Sequence, residues 1–167
     1  MGYTIEDLSA ECHDAIAAAN NADGREQVRQ RLEKALADTN FVETHLGPHA
    51  DSERNILFED PDFGFCIIAH VYNGAKASGP HDHGPSWAIY GQAKGTTEMT
   101  EWDVKKMPEN GEPGIVEPVK TYEMTPGDAV LYDIGDVHSP RREDSTRLIR
   151  IEGTDMKKIT RDKYEAA

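Results

Sequence analysis

The sequence has little cysteine, no long apolar run and few basic residues. Its two cysteines, Cys12 and Cys66, are too few for a disulfide framework and fit a reducing cytoplasm. The longest apolar stretch, residues 65–71, includes Cys66 and His70 and is too short to cross a bilayer. The first residues contain neither a basic region nor an apolar core, so we expect no export signal.

The shortage of basic residues also limits the kinds of partner. Eighteen Lys and Arg face 31 Asp and Glu, which gives a formal net charge of −13. A chain this acidic repels the phosphate backbones of nucleic acids, and the short apolar stretch already argues against a membrane. We therefore predict a small-molecule ligand, with no nucleic acid and no membrane as partner.

The hydrophobic pattern changes near residue 45. Before it, apolar residues recur at helical spacing from Ile5 to Ala19, and a second helix is expected after Asp23, which we predict as its N-cap. After it, short β-branched and aromatic runs alternate with turn residues. We predict one domain made of a two-helix cap over 1–44 and a β-barrel over 45–167. The expected strands lie near 55–59, 63–73, 85–92, 95–104, 115–123, 128–133 and 145–152.

Three histidines carry the clearest chemical signal. His81 and His83 stand two residues apart, so on a strand their rings point to the same side. His138 follows a glycine turn at Gly135. Imidazole nitrogens are common ligands of divalent transition metals, so we predict that these three side chains hold one such ion.

The spacing of these residues resembles the two sequence motifs of the cupin superfamily. After the histidine pair, Gly95 falls where the first motif has its glycine, and Gly127 begins the second motif, which ends at His138. Asp133 replaces the usual proline of the second motif. The resemblance implies an all-β fold, the cupin double-stranded β-helix or jelly-roll barrel, and family analogy also implies a homodimer.

The sequence departs from the motif where cupins usually carry a metal-binding glutamate, because Ala88 stands there. A three-histidine site of this kind resembles the thiol dioxygenases, which act on cysteine and mercaptopropionate. Residues 80–83 and 87–91 look like the bacterial members of that group. The resemblance implies one Fe(II) ion and a dioxygenase acting on a small carboxylate-bearing, possibly thiol, substrate. Nickel, zinc, manganese and copper stay open as alternative metals.

The resemblance also suggests residues around the metal. Arg54 corresponds to the arginine that binds the substrate carboxylate, a task that suits its planar fork. The final strand lacks the Ser-His-Tyr triad of the thiol dioxygenases, and its equivalent positions hold Leu148, Arg150 and Glu152. We predict Glu152 as an acid or base whose charge state Arg150 controls. The predicted substrate-binding set adds Tyr72, Tyr90 and Gln92.

The missing triad leaves two other functions open. One is a non-redox isomerase or lyase, in which the metal acts as a Lewis acid and Glu152 moves a proton. The other is a metal-dependent ligand-binding or sensor cupin without turnover. The sequence does not decide among these three functions.

Overall fold

The computed structural model describes residues 2–167, and over that range the chain forms three helices followed by ten strands. The helices are α1 (Ile5–Ala18), α2 (Ala22–Leu36) and α3 (Thr39–Leu46), and a short 3-10 turn spans Met156–Lys158. The strands are β1 (Asn55–Glu59), β2 (Cys66–Tyr72), β3 (Lys76–Ala77), β4 (Ala88–Lys94), β5 (Thr97–Lys106), β6 (Gly114–Met124), β7 (Ala129–Tyr132), β8 (Val137–Arg142), β9 (Thr146–Glu152) and β10 (Tyr164–Ala166).

The helical segment differs from the prediction in two ways. Asn21, not Asp23, caps α2, because its side-chain oxygen accepts the backbone N–H groups of Asp23 and Gly24. There are three helices rather than two, since Asp38 caps an additional eight-residue helix, α3. Two turns are too few to show clear apolar periodicity. Within residues 2–167, no helix is long and apolar enough to span a membrane.

The strands form two five-stranded sheets. The first has the order β1-β2-β9-β4-β7 and the second the order β10-β6-β5-β8-β3, and all pairs are antiparallel except β10 with β6. All seven predicted strands are found, β1 with the predicted ends and the other six with shifted ends. Strands β3 and β10, and the part of β8 beyond His138, were not predicted because they are short or highly charged. The two-sheet architecture fits a cupin β-barrel.

The first sheet is buried on both of its faces. Alternate residues of β9, Ile149 and Ile151, pack with the helices in one apolar cluster. The opposite face carries Ala88 and Tyr90 from β4, which pack with Met99 of the second sheet. Because side chains alternate along a strand, this second face and the second sheet enclose the barrel interior.

Gly91 shows how closely the helical cap fits this sheet. A Cβ atom at this position would lie 2.8 Å from Leu32 Cδ2, 2.9 Å from Leu36 Cδ1 and 3.1 Å from the Ile149 carbonyl oxygen. The missing side chain therefore allows α2 to pack directly against β4. Leu32 itself is fully buried at this contact.

We predict that Leu32→Ala lowers the free energy of unfolding by about 2–5 kcal/mol, because it leaves a cavity between α2 and the sheet. The measurement is urea unfolding followed by tryptophan fluorescence and by far-UV circular dichroism. Val119→Ala, at a position that is 65% exposed, should change stability by less than about 0.5 kcal/mol. Two separate transitions would contradict a single domain of cap and barrel.

Candidate metal centre and its cavity

Two of the three histidines are aligned by the backbone. His81 forms an isolated bridge with His138, in which the His81 N–H donates to the His138 carbonyl (3.0 Å) and the reverse bond is 2.9 Å. This antiparallel pairing places the two side chains beside each other. Their ring centroids lie 4.7 Å apart, and the ring of His83 lies 5.1 Å from that of His138.

A fixed loop presents the third histidine. Gly84, which follows His83, has φ of 59°, a conformation that favours glycine. The Asp82 carboxylate accepts hydrogen bonds from the Gly84 backbone N–H (3.0 Å) and the Tyr164 hydroxyl (3.1 Å). Asp82 therefore ties the histidine loop to the C-terminal segment, as a turn-stabilising residue rather than a ligand.

Hydrogen bonds to the backbone define the tautomers of two rings. His81 Nδ1 lies 2.9 Å from the Gly79 carbonyl oxygen, and His138 Nδ1 lies 2.9 Å from the Asp136 carbonyl oxygen. A carbonyl oxygen can only accept, so each Nδ1 must carry the hydrogen and each neutral Nε2 must have a lone pair. His138 Nε2 lies 3.2 Å from His83 Nε2.

The Tyr90 hydroxyl lies among the three Nε2 atoms. Its distances are 3.1 Å to His83, 3.2 Å to His138 and 3.5 Å to His81. One hydroxyl hydrogen can satisfy only one of these acceptors. His81 and His138 therefore direct Nε2 lone pairs at the same point, and a cation bound among the three rings could use both of them.

The spacing also suits a metal ion. Metal–imidazole bonds of about 2.0–2.1 Å separate neighbouring ligand atoms by about 3.0–3.4 Å. The His83–His138 nitrogen distance of 3.2 Å falls in this range, and all three ligand nitrogens lie within 4.8 Å of one another. These side chains therefore fit a divalent transition metal, although they do not identify which one.

Burial keeps these imidazoles in the neutral form that binds metals. It is the largest cause of the lowered pKa of His81, which falls to about 4. Burial and the neighbouring histidine likewise lower the pKa of His83 and His138. Protons therefore compete weakly for the ligand nitrogens at neutral pH.

A second group of potential ligands, His13, Asp60 and Asp62, lies elsewhere on the chain. Its buried member, Asp60, already accepts the backbone N–H groups of Asp62 (3.1 Å) and Phe63 (2.8 Å). His13 pairs with Asp62 at 3.0 Å. These contacts explain the cluster as a turn before β2.

The histidines open onto a cavity of about 560 Å³, a size typical of small-molecule sites. His81 and His83 line it, while the ring of His138 is fully buried behind them. The charges of the lining residues are strongly unequal. Glu152 is the one acidic residue among them, against the basic residues Arg54, Lys76, Arg142, Arg150, Lys157 and Arg161.

The structure brings most of the sequence-predicted residues to this cavity. Arg150 and Glu152 both face it, because β9 pairs them with Tyr90 and Ala88 of the neighbouring strand. The Arg150 guanidinium lies 4.2 Å above the Tyr90 ring, and its Nη1 lies 3.7 Å from Glu152 Oε1. The Glu152 side chain is 2% exposed. Tyr72 also lines the cavity.

Arg54 lines the cavity but has acidic partners of its own. Its Nη2 lies 2.8 Å from Asp155 Oδ1 and 3.6 Å from Glu152 Oε2. The Glu152 carboxylate thus stands between the guanidinium groups of Arg54 and Arg150. A ligand carboxylate would compete with these pairs for Arg54.

Gln92 does not reach the cavity, contrary to the prediction. Its side-chain N–H groups donate to the carbonyls of Lys94 (3.2 Å) and Gly95 (3.0 Å), and its Oε1 accepts from the Thr97 hydroxyl (2.9 Å). Its inward direction was predicted correctly, but the amide is used within the turn between β4 and β5.

Arg142 also lines the cavity and was not predicted from the sequence. It lies four residues after His138 on β8 and therefore shares its face. The alternation of side chains along a strand could therefore have identified Arg142 from the sequence, since residues i and i+4 lie on the same face. It went unnoticed because no expected strand covered residues 139–144, which include the charged pair Arg141-Arg142.

Comparison with known proteins finds no matching family model and no matching curated protein. Among solved structures, the cupin domain of Schizosaccharomyces pombe Cnp3 is 13% identical with a TM-score of 0.47, covering 66% of this chain and 73% of that one. A cupin superfamily protein from Desulfitobacterium hafniense is 12% identical, with a TM-score of 0.45 and coverages of 64% and 84%. KdgF from a Halomonas species is 15% identical, with a TM-score of 0.45 and coverages of 64% and 83%.

The first two of these neighbours are named as cupin proteins, but at such scores the likeness carries no weight for function. The chain's own geometry defines the class: a two-sheet β-barrel with a three-histidine potential metal site inside it.

We predict that His83→Ala reduces bound metal from about one ion per chain to less than about a tenth after loading with zinc or Fe(II), because two imidazoles alone bind weakly. The measurement is elemental analysis after gel filtration. His49→Ala removes an exposed histidine and should retain full metal content. Equal metal content in both variants would place the ion elsewhere.

The metal-free protein should lose stability on acidification. Because folding lowers the pKa of His81 from its ordinary 6.5 to about 4, the unfolded chain binds more protons in this window. The stabilisation is present above about pH 6.5 and is lost as the pH falls towards 4, by at most about 1.4 kcal/mol per pH unit for each such histidine. Urea unfolding at several pH values should show a shallower slope for His81→Gln than for wild type. Identical slopes would contradict this assignment.

Proposed function

We propose that the protein is a mononuclear metal-dependent enzyme, a non-haem iron dioxygenase acting on a small carboxylate-bearing substrate. One observation carries the proposal: a three-histidine centre without a carboxylate ligand opens onto a cavity lined by six basic side chains and one acidic one. Neutral ligands leave the full charge of a divalent ion available to an anion. The surrounding guanidinium groups add to this attraction.

His81, His83 and His138 would hold the metal through their Nε2 atoms. When bound, Fe(II) supplies the redox chemistry that dioxygen needs. The backbone carbonyls that accept from Nδ1 of His81 and His138 fix the orientation of these rings. Burial of the histidines keeps bulk water away from the inner side of the site.

Arg54 orients the substrate in this proposal. Its guanidinium lies at the cavity wall, where a substrate carboxylate would compete with Asp155 and Glu152 for its donors. Planar two-point binding fixes direction as well as position. Tyr90 lies closer to the histidines, and its hydroxyl can donate to a substrate atom next to the metal.

Glu152 is the proton-transfer residue of the proposal. It is buried, lines the cavity and lies near both Arg54 and Arg150. The Met156 backbone N–H donates to its Oε2 at 3.3 Å, which leaves Oε1 for a substrate proton. Arg150 positions this carboxylate from the neighbouring side.

The same carboxylate favours a second candidate, a non-redox isomerase or lyase. Thiol dioxygenases carry a tyrosine at this position of the final strand, whereas this chain carries a group that can accept a proton. In this alternative, nickel, zinc or manganese acts as a Lewis acid and Glu152 transfers a proton of the substrate. No dioxygen is consumed.

The cellular setting belongs to the same proposal. Both cysteines, Cys12 and Cys66, are buried and free, which supports a reducing cytoplasm. A small anionic molecule is the expected partner, and the homodimer stays a prediction.

We expect Fe(II)-loaded protein to consume dioxygen when cysteine, 3-mercaptopropionate or a related small carboxylate is added, and Arg54→Met to lower kcat/KM by about 10- to 100-fold through loss of a charge-assisted contact. An oxygen electrode measures the rate. Arg141→Gln, at an exposed position outside this cavity, is the matched control. Turnover by the zinc-loaded protein without oxygen, abolished in Glu152→Gln, would replace the dioxygenase with the isomerase or lyase. Absence of both reactions would contradict an enzyme of either kind.

A further inference from the structure

Arg142 is a buried cation without an anionic partner. The residue is 3% exposed and lines the cavity. Over residues 2–167, no carboxylate oxygen lies within 4.0 Å of its guanidinium, and its Nη2 has no hydrogen-bond acceptor. Its one side-chain hydrogen bond runs from Nε to the Thr97 hydroxyl oxygen, at 3.1 Å.

This arrangement is unfavourable in the absence of a ligand. A charge removed from water is costly unless an opposite charge or several hydrogen bonds replace the lost hydration. Arg150, a half-buried arginine at the same cavity, adds repulsion, and its own Nε is also without a partner. Burial and the charge of Arg150 lower the pKa of the Arg142 guanidinium.

Neutral neighbours nevertheless hold Arg142 in one position. The Thr97 hydroxyl donates to Gln92 Oε1 at 2.9 Å, so its lone pair is left for Arg142 Nε. Gln92 is in turn fixed by two backbone carbonyls. The guanidinium also lies 4.9 Å from the centre of the Tyr72 ring. The site is therefore built and preorganised for an anion, and Gln92 acts as a positioning residue behind it.

The arginines approach the cavity from different sheets. Arg54 precedes β1 and Arg150 lies on β9, both in the first sheet, whereas Arg142 lies on β8 of the second. Arg54 is already paired with Asp155, and Arg150 shares Glu152. Positive charge without a carboxylate partner therefore remains at Arg142, on the opposite wall.

We propose that Arg142, assisted by Arg150, forms a second anion-binding subsite, and that the substrate is a dianion whose second carboxylate or phosphate group binds there. The inference rests on the proposed function for the first carboxylate and the metal, and it adds the second charged group. It narrows the substrate class to dicarboxylates and phosphorylated carboxylates.

The test compares ligands that differ by one charged group. Zinc-loaded protein is titrated calorimetrically with butyrate, succinate and inorganic phosphate. Wild type should bind succinate at least about tenfold more tightly than butyrate, since a buried charge-assisted hydrogen bond is worth this much. Arg142→Gln should abolish the preference and leave butyrate affinity unchanged. Arg141→Gln, the exposed neighbour on the same strand, should keep the preference.

Phosphate distinguishes the two sources of the second charge. Binding of phosphate that is tighter than that of succinate and weakened by Arg142→Gln supports a phosphate group at the subsite. Tighter succinate supports a carboxylate. If succinate binds no more tightly than butyrate to wild type, or if Arg142→Gln weakens both ligands equally, the proposal is wrong.

Two further measurements separate folding and the proposed function from this result. Without ligand, Arg142→Gln should have the same melting temperature as wild type or a higher one, because an uncompensated buried charge is removed. Arg142→Lys keeps the charge and should therefore retain part of the preference for succinate over butyrate. Arg54→Met should weaken butyrate. The proposed function is wrong, and the subsite is still supported, if butyrate affinity is unchanged by Arg54→Met and by removal of the metal while Arg142→Gln still abolishes the preference for succinate.

Discussion

Three neutral imidazole nitrogens converge inside the barrel, and the surrounding structure supports this contact. The bridge between His81 and His138 aligns two rings, and backbone carbonyls give both the tautomer that directs Nε2 inward. His83 Nε2 lies 3.2 Å from His138 Nε2, and all three ligand nitrogens lie within 4.8 Å of one another. This spacing of imidazole nitrogens is what makes the site suited to a cation, independently of any likeness to other proteins.

The charge distribution gives the same site its preference for anions. The chain as a whole carries −13, yet six of its 18 Lys and Arg line one cavity. Buried arginines are costly, and only some of these have carboxylate partners. The acidic remainder of the surface favours solubility, while the basic lining of the cavity attracts small negatively charged molecules that are able to enter it.

The sequence predicted residue positions correctly where a local pattern, such as strand alternation or motif spacing, determines the structure. Strand alternation placed Arg150 and Glu152 on one face, and the family resemblance suggested that this face lines the barrel. Motif spacing brought together three histidines separated by up to 57 positions. It was less informative where a distant partner decides the outcome. Gln92 points inward as predicted, but Thr97 and two carbonyls occupy its amide. Arg142 lacks a carboxylate partner because of the residues that two separate sheets place around one cavity. Asp155, which pairs with Arg54, lies 101 positions after Arg54 in the sequence.

The central claim is that His81, His83 and His138 bind one metal ion through Nε2. The most direct measurement is anomalous diffraction from crystals of the metal-loaded protein, collected on both sides of the metal absorption edge. The account predicts one strong peak bonded to the three Nε2 atoms at about 2.0–2.2 Å. A crystal whose only metal peak lies elsewhere, for example beside His13 and Asp62, would contradict it.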